Sequence, residues 1–211
     1  MPNRFFVTGT DTSVGKTVAS ALLCAGLDAM YWKPIQTGRG EGTDRRTVAA
    51  LAELPRSRTI REAYCLAPPL SPHLAARMSR LRIELNKISL PEIPPTENLI
   101  VEGAGGVLVP INEEDLMVDL MKDLKLPALL VARTSLGTIN HTLLSLAALR
   151  SYAVPVRGAI LVGRPNRENQ SAIERYGNIE VLGTIPWLGT IDRPTLIRVF
   201  LRHFVGSFLR G

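Results

Sequence analysis

Apolar and polar positions along this chain switch between two periods, and the switches mark its elements. Short runs that are apolar at successive positions occur at "RFFVTG" (4–9), "AMYW" (29–32), "NLIVEG" (98–103), "PALLVAR" (127–133), "VRGAILVG" (156–163) and "EVLGTIPW" (180–187). Runs of this length predict strands buried on both faces. Helical spacing lies between them. It appears in "KTVASALLCAGL" (16–27), "DRRTVAALAEL" (44–54, stopped by Pro55), "LMVDLMKDLKL" (116–126) and "TINHTLLSLAALRSY" (138–152, with Thr138 or Ser135 near its N-cap). It returns in "ENQSAIERYG" (168–177) and "TLIRVFLRHF" (195–204). Residues 55–72 read as a loop rich in proline and arginine, and 73–88 as partly helical. Pro91, Pro94 and Pro95 break the pattern again. Strands alternating with helices predict an α/β fold, a mostly parallel sheet with helices on both faces.

Composition narrows the class. The chain has 211 residues, 45% hydrophobic and 21% charged, which suits one domain over 1–211 with a sizeable core. No repeat or linker divides it. Arg4 leads at once into a strand-like run, so a chain without a secretory leader is expected. No apolar run approaches the roughly 20 residues that span a bilayer, so no membrane partner is expected. Cys24 and Cys65 stand far apart in no ligand-like spacing, which favours two free thiols and a reduced, cytoplasmic setting. The formal charge of +6 raises the question of nucleic acid. Its arginines are dispersed among acids with no long basic block, so small anionic substrates are expected instead.

In parallel sheets, ligands sit beyond the carboxyl ends of the strands. The first such end is "GTDTSVGKT" (9–17). It stands between strand and helix, where free N–H groups and the helix dipole bind phosphate. Lys16 would reach the β- and γ-phosphates, and Thr17 would offer a hydroxyl to Mg²⁺. Five residues separate Gly9 from Gly15, one more than the usual pattern, yet Gly15-Lys16-Thr17 keeps its register to the helix. At "KPIQTG" (33–38), Lys33 reads either as a cation aimed at transferring charge or as a solvated lysine. Asp44 reads either as a helix-start acid or as a magnesium ligand. Glu102 ends an apolar strand and enters Gly103, Gly105 and Gly106. A carboxylate there suits Mg²⁺, and glycines admit close backbone approach. "TSLGTINH" (134–141) opens a long helix whose first N–H groups could hold a carboxylate. Asn140 and His141 read equally well as ordinary first-turn residues.

Set side by side, these segments resemble the dethiobiotin synthetase family. The resemblance rests on "FVTGTDTSVGKT" (6–17), "KPIQTG" (33–38), Asp44, "SPH" (71–73), "VEGAGG" (101–106), "LGTINH" (136–141) and "GTIPWL" (183–188). It covers nearly the whole chain in order, and the longer loop is that family's own form. It implies a P-loop NTPase-like fold. It also implies a cytoplasmic ATP- and Mg²⁺-dependent enzyme that forms dethiobiotin from 7,8-diaminononanoate and CO₂ (or bicarbonate) through a carbamate and its mixed anhydride with phosphate. By the resemblance, Lys16 and Lys33 are the catalytic cations, and Thr17, Asp44 and Glu102 hold the metal. Nucleotide contacts fall to Ser13, Val14, Gly15, Lys16, Thr17, Val18, Asp44, Glu102, Gly103, Ala104 and Gly105, with Pro186, Trp187 and Leu188 walling the base. Thr12 and Thr37 face the carbamate and diamine. Leu136, Gly137 and Asn140, from the partner subunit of a homodimer, receive the substrate carboxylate.

Two departures stand out. Ser13 replaces an acidic residue of some members, and Val162-Gly163 stand where the family often has Asn-Asp near the adenine. The latter implies weaker discrimination between nucleotide bases. The competing reading is a partitioning or targeting ATPase switch of related fold. Those typically carry a second lysine early in the loop, where this chain has Thr10. The basic end "LIRVFLRHFVGSFLRG" (196–211), the sole candidate for a targeting helix, is expected instead to pack on the sheet.

Overall fold

The computed structural model describes residues 2–40 and 42–208. In chain order its elements begin with β1 (Arg4–Gly9), α1 (Lys16–Leu27), β2 (Met30–Trp32), β3 (Ile35–Thr37), α2 (Asp44–Leu51), β4 (Thr59–Ile60), β5 (Tyr64–Leu66) and α3 (Pro72–Met78). They continue with β6 (Leu99–Glu102), α4 (Met117–Leu124), β7 (Ala128–Arg133), α5 (Thr138–Ser151), β8 (Val156–Val162), α6 (Arg167–Gly177), β9 (Val181–Ile185), α7 (Arg193–His203) and α8 (Val205–Phe208). Seven strands form one sheet in the order β4-β2-β6-β1-β7-β8-β9. Every pairing in it is parallel. A two-stranded parallel pair, β3 and β5, stands apart.

Strand side chains alternate between faces, so each apolar strand feeds two cores. Phe5, Val7, Ile100, Leu129 and Val131 pack on one side with Ala19, Leu22 and Leu23 of α1, with Leu196 and Phe200 of α7, and with Phe204, which caps α7. Phe6, Leu99, Val101, Ala128 and Leu130 point the other way, against Leu120, Met121, Leu146 and Leu149 of α4 and α5. The basic C-terminal stretch therefore packs on the sheet as expected, with Phe200, Phe204 and Phe208 buried. Its last three positions, 209–211, lie outside the described residues. No helix among the described residues is long and apolar enough to cross a membrane. Cys24 and Cys65 are both free, the first buried and the second exposed.

Several boundaries differ from the sequence pattern. The 44–54 helix stops at Leu51, and Glu53 takes a left-handed φ of 50° before Pro55. The 55–72 loop contains β4 and β5, and the 73–88 segment is α-helical only as far as Met78, in α3, with a 3-10 turn at Leu85–Lys87. Asn166 caps α6 by accepting from Asn169 N at 3.0 Å, and Asp192 caps α7 by accepting from Thr195 N at 2.9 Å. Both helices consequently start before their apolar spacing does. The last strand ends at Ile185, ahead of Pro186 and Trp187. The N-cap of α5 is Gly137, at φ 91°, rather than Thr138 or Ser135. The Thr138 hydroxyl instead donates back to the Arg133 carbonyl.

Candidate functional site

Strand parity aims the site. Glu102 follows Ile100 by two positions on β6, so its side chain emerges on the α1 face. Tyr31 of β2 packs on that same face, and Lys33 follows Tyr31 by two. Along α1, Thr17 and Ser20 are three apart and share one side of the helix. Because β6 lies between β1 and β2, all of these side chains meet.

Glu102, 1% exposed, is the hub. Its Oε2 accepts from Ser20 Oγ at 2.7 Å and from Tyr31 Oη at 3.0 Å. Its Oε1 accepts from Thr17 Oγ1 and Lys33 Nζ, each at 3.1 Å. Thr17 Oγ1 also lies 3.1 Å from Asp44 Oδ1, and Lys33 Nζ pairs with Asp44 Oδ2 at 2.5 Å. Two carboxylates thus share one buried ammonium and one hydroxyl. Asp44 is fixed from behind, because its backbone N–H donates to Gln36 Oε1 at 2.9 Å. Gln36 is itself buried and donates to the Thr37 carbonyl at 2.8 Å.

Burial alone would lower the Lys33 pKa, but the Glu102 and Asp44 carboxylates overcome it and hold the ammonium above its ordinary value. Asp44 is the mirror case. Burial would raise it, and the charge and hydrogen bond of Lys33 draw it below the usual carboxylate range. The Tyr31 hydroxyl is pushed well up by burial and then by Glu102, so it remains a donor. Lys16 is lowered to about 8, first by burial and then by repulsion from Lys33.

The phosphate loop folds by backbone conformations that few residues take. Gly15 has φ 100° and Ser13 φ 54°. A Cβ at Gly15 would lie 2.9 Å from Val162 Cγ1, so β8 packs directly against this turn. Lys16 Nζ curls over the loop and donates to the Asp11 carbonyl at 2.8 Å. Across the loop, Arg133 reaches Asp11 Oδ2 at 3.1 Å.

A cleft of about 780 Å³ opens above this floor. Thr12, Ser13, Gly15, Lys16, Thr17, Val18, Lys33, Thr37, Asp44, Glu102, Ala104 and Gly105 all line it, with Pro69 to Pro72 and Val109 closing the far wall. Most of the sequence-predicted residues are therefore brought together. Val14 is buried beneath the loop, and Gly103 sits against Phe6, where a Cβ would lie 2.8 Å from the ring. The remaining predicted residues do not line the cleft. Trp187 is 80% exposed and Leu136 fully exposed, with Asn140, Gly137, Pro186 and Leu188 also outside the lining. Sequence reading missed Ser20, Tyr31 and Gln36. The signal for Ser20 was present: a polar residue one helical turn after Thr17 inside an otherwise apolar helix face.

The arrangement offers an anion a cleft with two ammonium groups, free helix N–H groups and hard oxygen ligands. Among the described residues no cluster of three or more His, Cys, Asp or Glu forms. The chemistry of the donors, two carboxylates and a hydroxyl, fits an ion that completes its shell with phosphate oxygens and water.

A family model described as an AAA domain matches residues 3–195. The ATP-dependent dethiobiotin synthetase BioD of Novosphingobium aromaticivorans is 46% identical over 200 residues, which cover 95% of this chain and 96% of the relative. That of Paramagnetospirillum magneticum is 51% identical over 193 residues, covering 90% and 91%. The biotin biosynthesis bifunctional protein BioCD of Bordetella avium is 52% identical over 192 residues, and this chain spans 41% of its length. Among solved structures, a ParA family ATPase from Chlorobium tepidum superposes with a TM-score of 0.54 at 13% identity, covering 94% of this chain and 90% of that one. That likeness bears on the fold alone.

Proposed function

This chain belongs to the dethiobiotin synthetase family, and from that premise we propose that it closes the ureido ring of dethiobiotin in biotin biosynthesis. Its substrates are ATP, 7,8-diaminononanoate and CO₂. One amine takes up CO₂ as a carbamate, and a carbamate oxygen accepts the γ-phosphoryl group of ATP as ADP leaves. The second amine then attacks the carbonyl carbon, and inorganic phosphate leaves.

The observation that carries this reading is the Lys33–Asp44–Glu102 cluster beside Lys16, at the end of the strand–loop–helix turn. Each step gathers negative charge on oxygen, so the protein's task is placement and neutralisation. Backbone amides of Ser13 to Val18 receive the phosphates, and Lys16 swings from Asp11 onto them. Lys33 neutralises the carbamate and the phosphoryl group moving to it. Thr12 and Thr37 orient the diamine. The loop 103–105 lets the nucleotide approach closely, and Pro186, Trp187 and Leu188 flank the base. Thr17, Asp44 and Glu102 would hold Mg²⁺, whose charge would draw the phosphate oxygens into place. The exposed start of α5, with Leu136, Gly137 and Asn140, serves the cleft of a second copy in a homodimer. We place the enzyme in the cytoplasm, acting as one domain on small molecules rather than on nucleic acid or membrane.

The test is phosphate release from ATP with each co-substrate withheld in turn. Release is expected only when both diamine and bicarbonate are present. Equal release without either would overturn the synthetase reading in favour of a switch-type ATPase.

A further inference from the structure

A second hollow, of about 370 Å³, lies on the outer side of the Gly42–Arg46 segment and shares no residue with the reaction cleft. Among the described residues, four arginines line it, Arg39, Arg45, Arg46 and Arg61, with one acid, Glu62. Arg45 Nε donates to Glu62 Oε1 at 3.0 Å, which uses that carboxylate. The guanidinium groups of Arg39, Arg46 and Arg61 have no ion-pair or hydrogen-bond partner among the described residues. Arg39 follows β3, Arg45 and Arg46 lie in the first turn of α2, and Arg61 follows β4. Arginines from two loops and from the start of α2 thus line one concavity, and α2 adds the positive end of its dipole.

Like charges so gathered repel one another, and solvent alone gives no reason to converge them. Planar guanidinium forks match the oxygens of phosphate in pairs. The volume falls within the range that holds small ligands. We propose that this hollow binds the phosphate group of a small anion, at a site separate from the phosphate loop. Three unpaired guanidinium groups exceed the need of a single carboxylate and suit the higher charge and extra oxygens of phosphate. The adjoining residue on α2, Asp44, belongs to the Lys33 cluster. An anion held here would therefore sit one helical position from the reaction floor.

Cys65 lines the same hollow and is exposed, whereas Cys24 is buried, so alkylation of Cys65 by neutral iodoacetamide reads its occupancy. Inorganic phosphate is expected to slow that alkylation saturably, by about fivefold once it exceeds its dissociation constant about fourfold. Sodium chloride at matched ionic strength is expected to leave the rate unchanged. The Arg46→Gln/Arg61→Gln variant should lose the protection while keeping parental ATP turnover, which shows that its fold and phosphate loop are intact. If that variant turned over poorly, Arg46→Lys/Arg61→Lys, which keeps the charge but loses the fork, would replace it and should show weakened protection. Protection no greater than that given by chloride, or undiminished in these variants, would overturn the proposal. Protection by citrate with phosphate inert would overturn the assignment to phosphate.

Discussion

Lys16 shows how much a single residue gives up for its role. Its ammonium is buried beside Lys33, and its pKa falls from 10.5 to about 8. A depression of that size costs the ligand-free fold about 3 kcal/mol at neutral pH, offset in part by the bond to the Asp11 carbonyl. The sign follows from proton counting. Between about 8 and 10.5 the unfolded chain holds the lysine proton and the folded chain has released it, so stability rises with pH across that window. Lys16→Met should therefore melt higher than the parent at neutral pH in the absence of nucleotide, while ATP turnover is lost. Its melting temperature should also lack the parent's relative rise between those two pH values. Thermal melts across that range, paired with turnover assays, check both points. A variant that melts lower, or that keeps turnover, contradicts the role of a cation held ready for phosphate.

The contact between α1 and α7 tests packing at the level of elements. An ideal Cβ on Gly26 would lie 2.2 Å from Phe200 Cγ, so these helices approach closely enough to exclude a methyl group. Gly26→Ala gains helix propensity, worth about 1 kcal/mol. The displaced ring should nevertheless make the variant less stable by about 1–3 kcal/mol, read from the denaturant midpoint. A neutral or stabilised variant would mean that Phe200 has room to move. The sequence pattern made the long elements plain, because α1, α4, β1, β7 and β8 each bury several apolar residues in one period. It concealed β3, β4 and β5, which are two or three residues long and leave no period to detect. It placed the starts of α6 and α7 late, since Asn166 and Asp192 cap them ahead of the apolar positions. The site was legible where glycines and charges meet strand ends. Tyr31 escaped because the partner that explains it, Glu102, lies 71 residues away; Ser20, 82 residues from the same carboxylate, showed only as a polar interruption of an apolar helix face, and Gln36 read as part of a short turn-like segment although its side chain accepts from Asp44 N.

For the molecule as a whole, the proposed function makes a prediction about the choice of nucleotide base. Val162 presses its side chain on Gly15, and Gly163, at φ 130°, packs so close to Thr134 that a Cβ would lie 2.4 Å from Oγ1. Neither residue offers the side-chain amide that the proposed base site would use to read an exocyclic group. A wall without a matched hydrogen bond discriminates by about 100-fold at most. Turnover with ATP, CTP and GTP should therefore fall within that range, and strict preference for ATP would mean that another group reads the base. The sheet order has one more effect, on how the molecule comes into being. Strand β6 wedges between β1 and β2, and it is made long after both. Lys33 emerges 69 residues before the Glu102 that must meet it. Strands β1 and β2 do not pair with each other, so the sheet brings the phosphate loop and Lys33 together only through β6 and its Glu102. One four-residue strand therefore supplies both the continuity of the sheet across β1, β6 and β2 and the carboxylate that balances Lys33, so a lesion in it costs the protein both together.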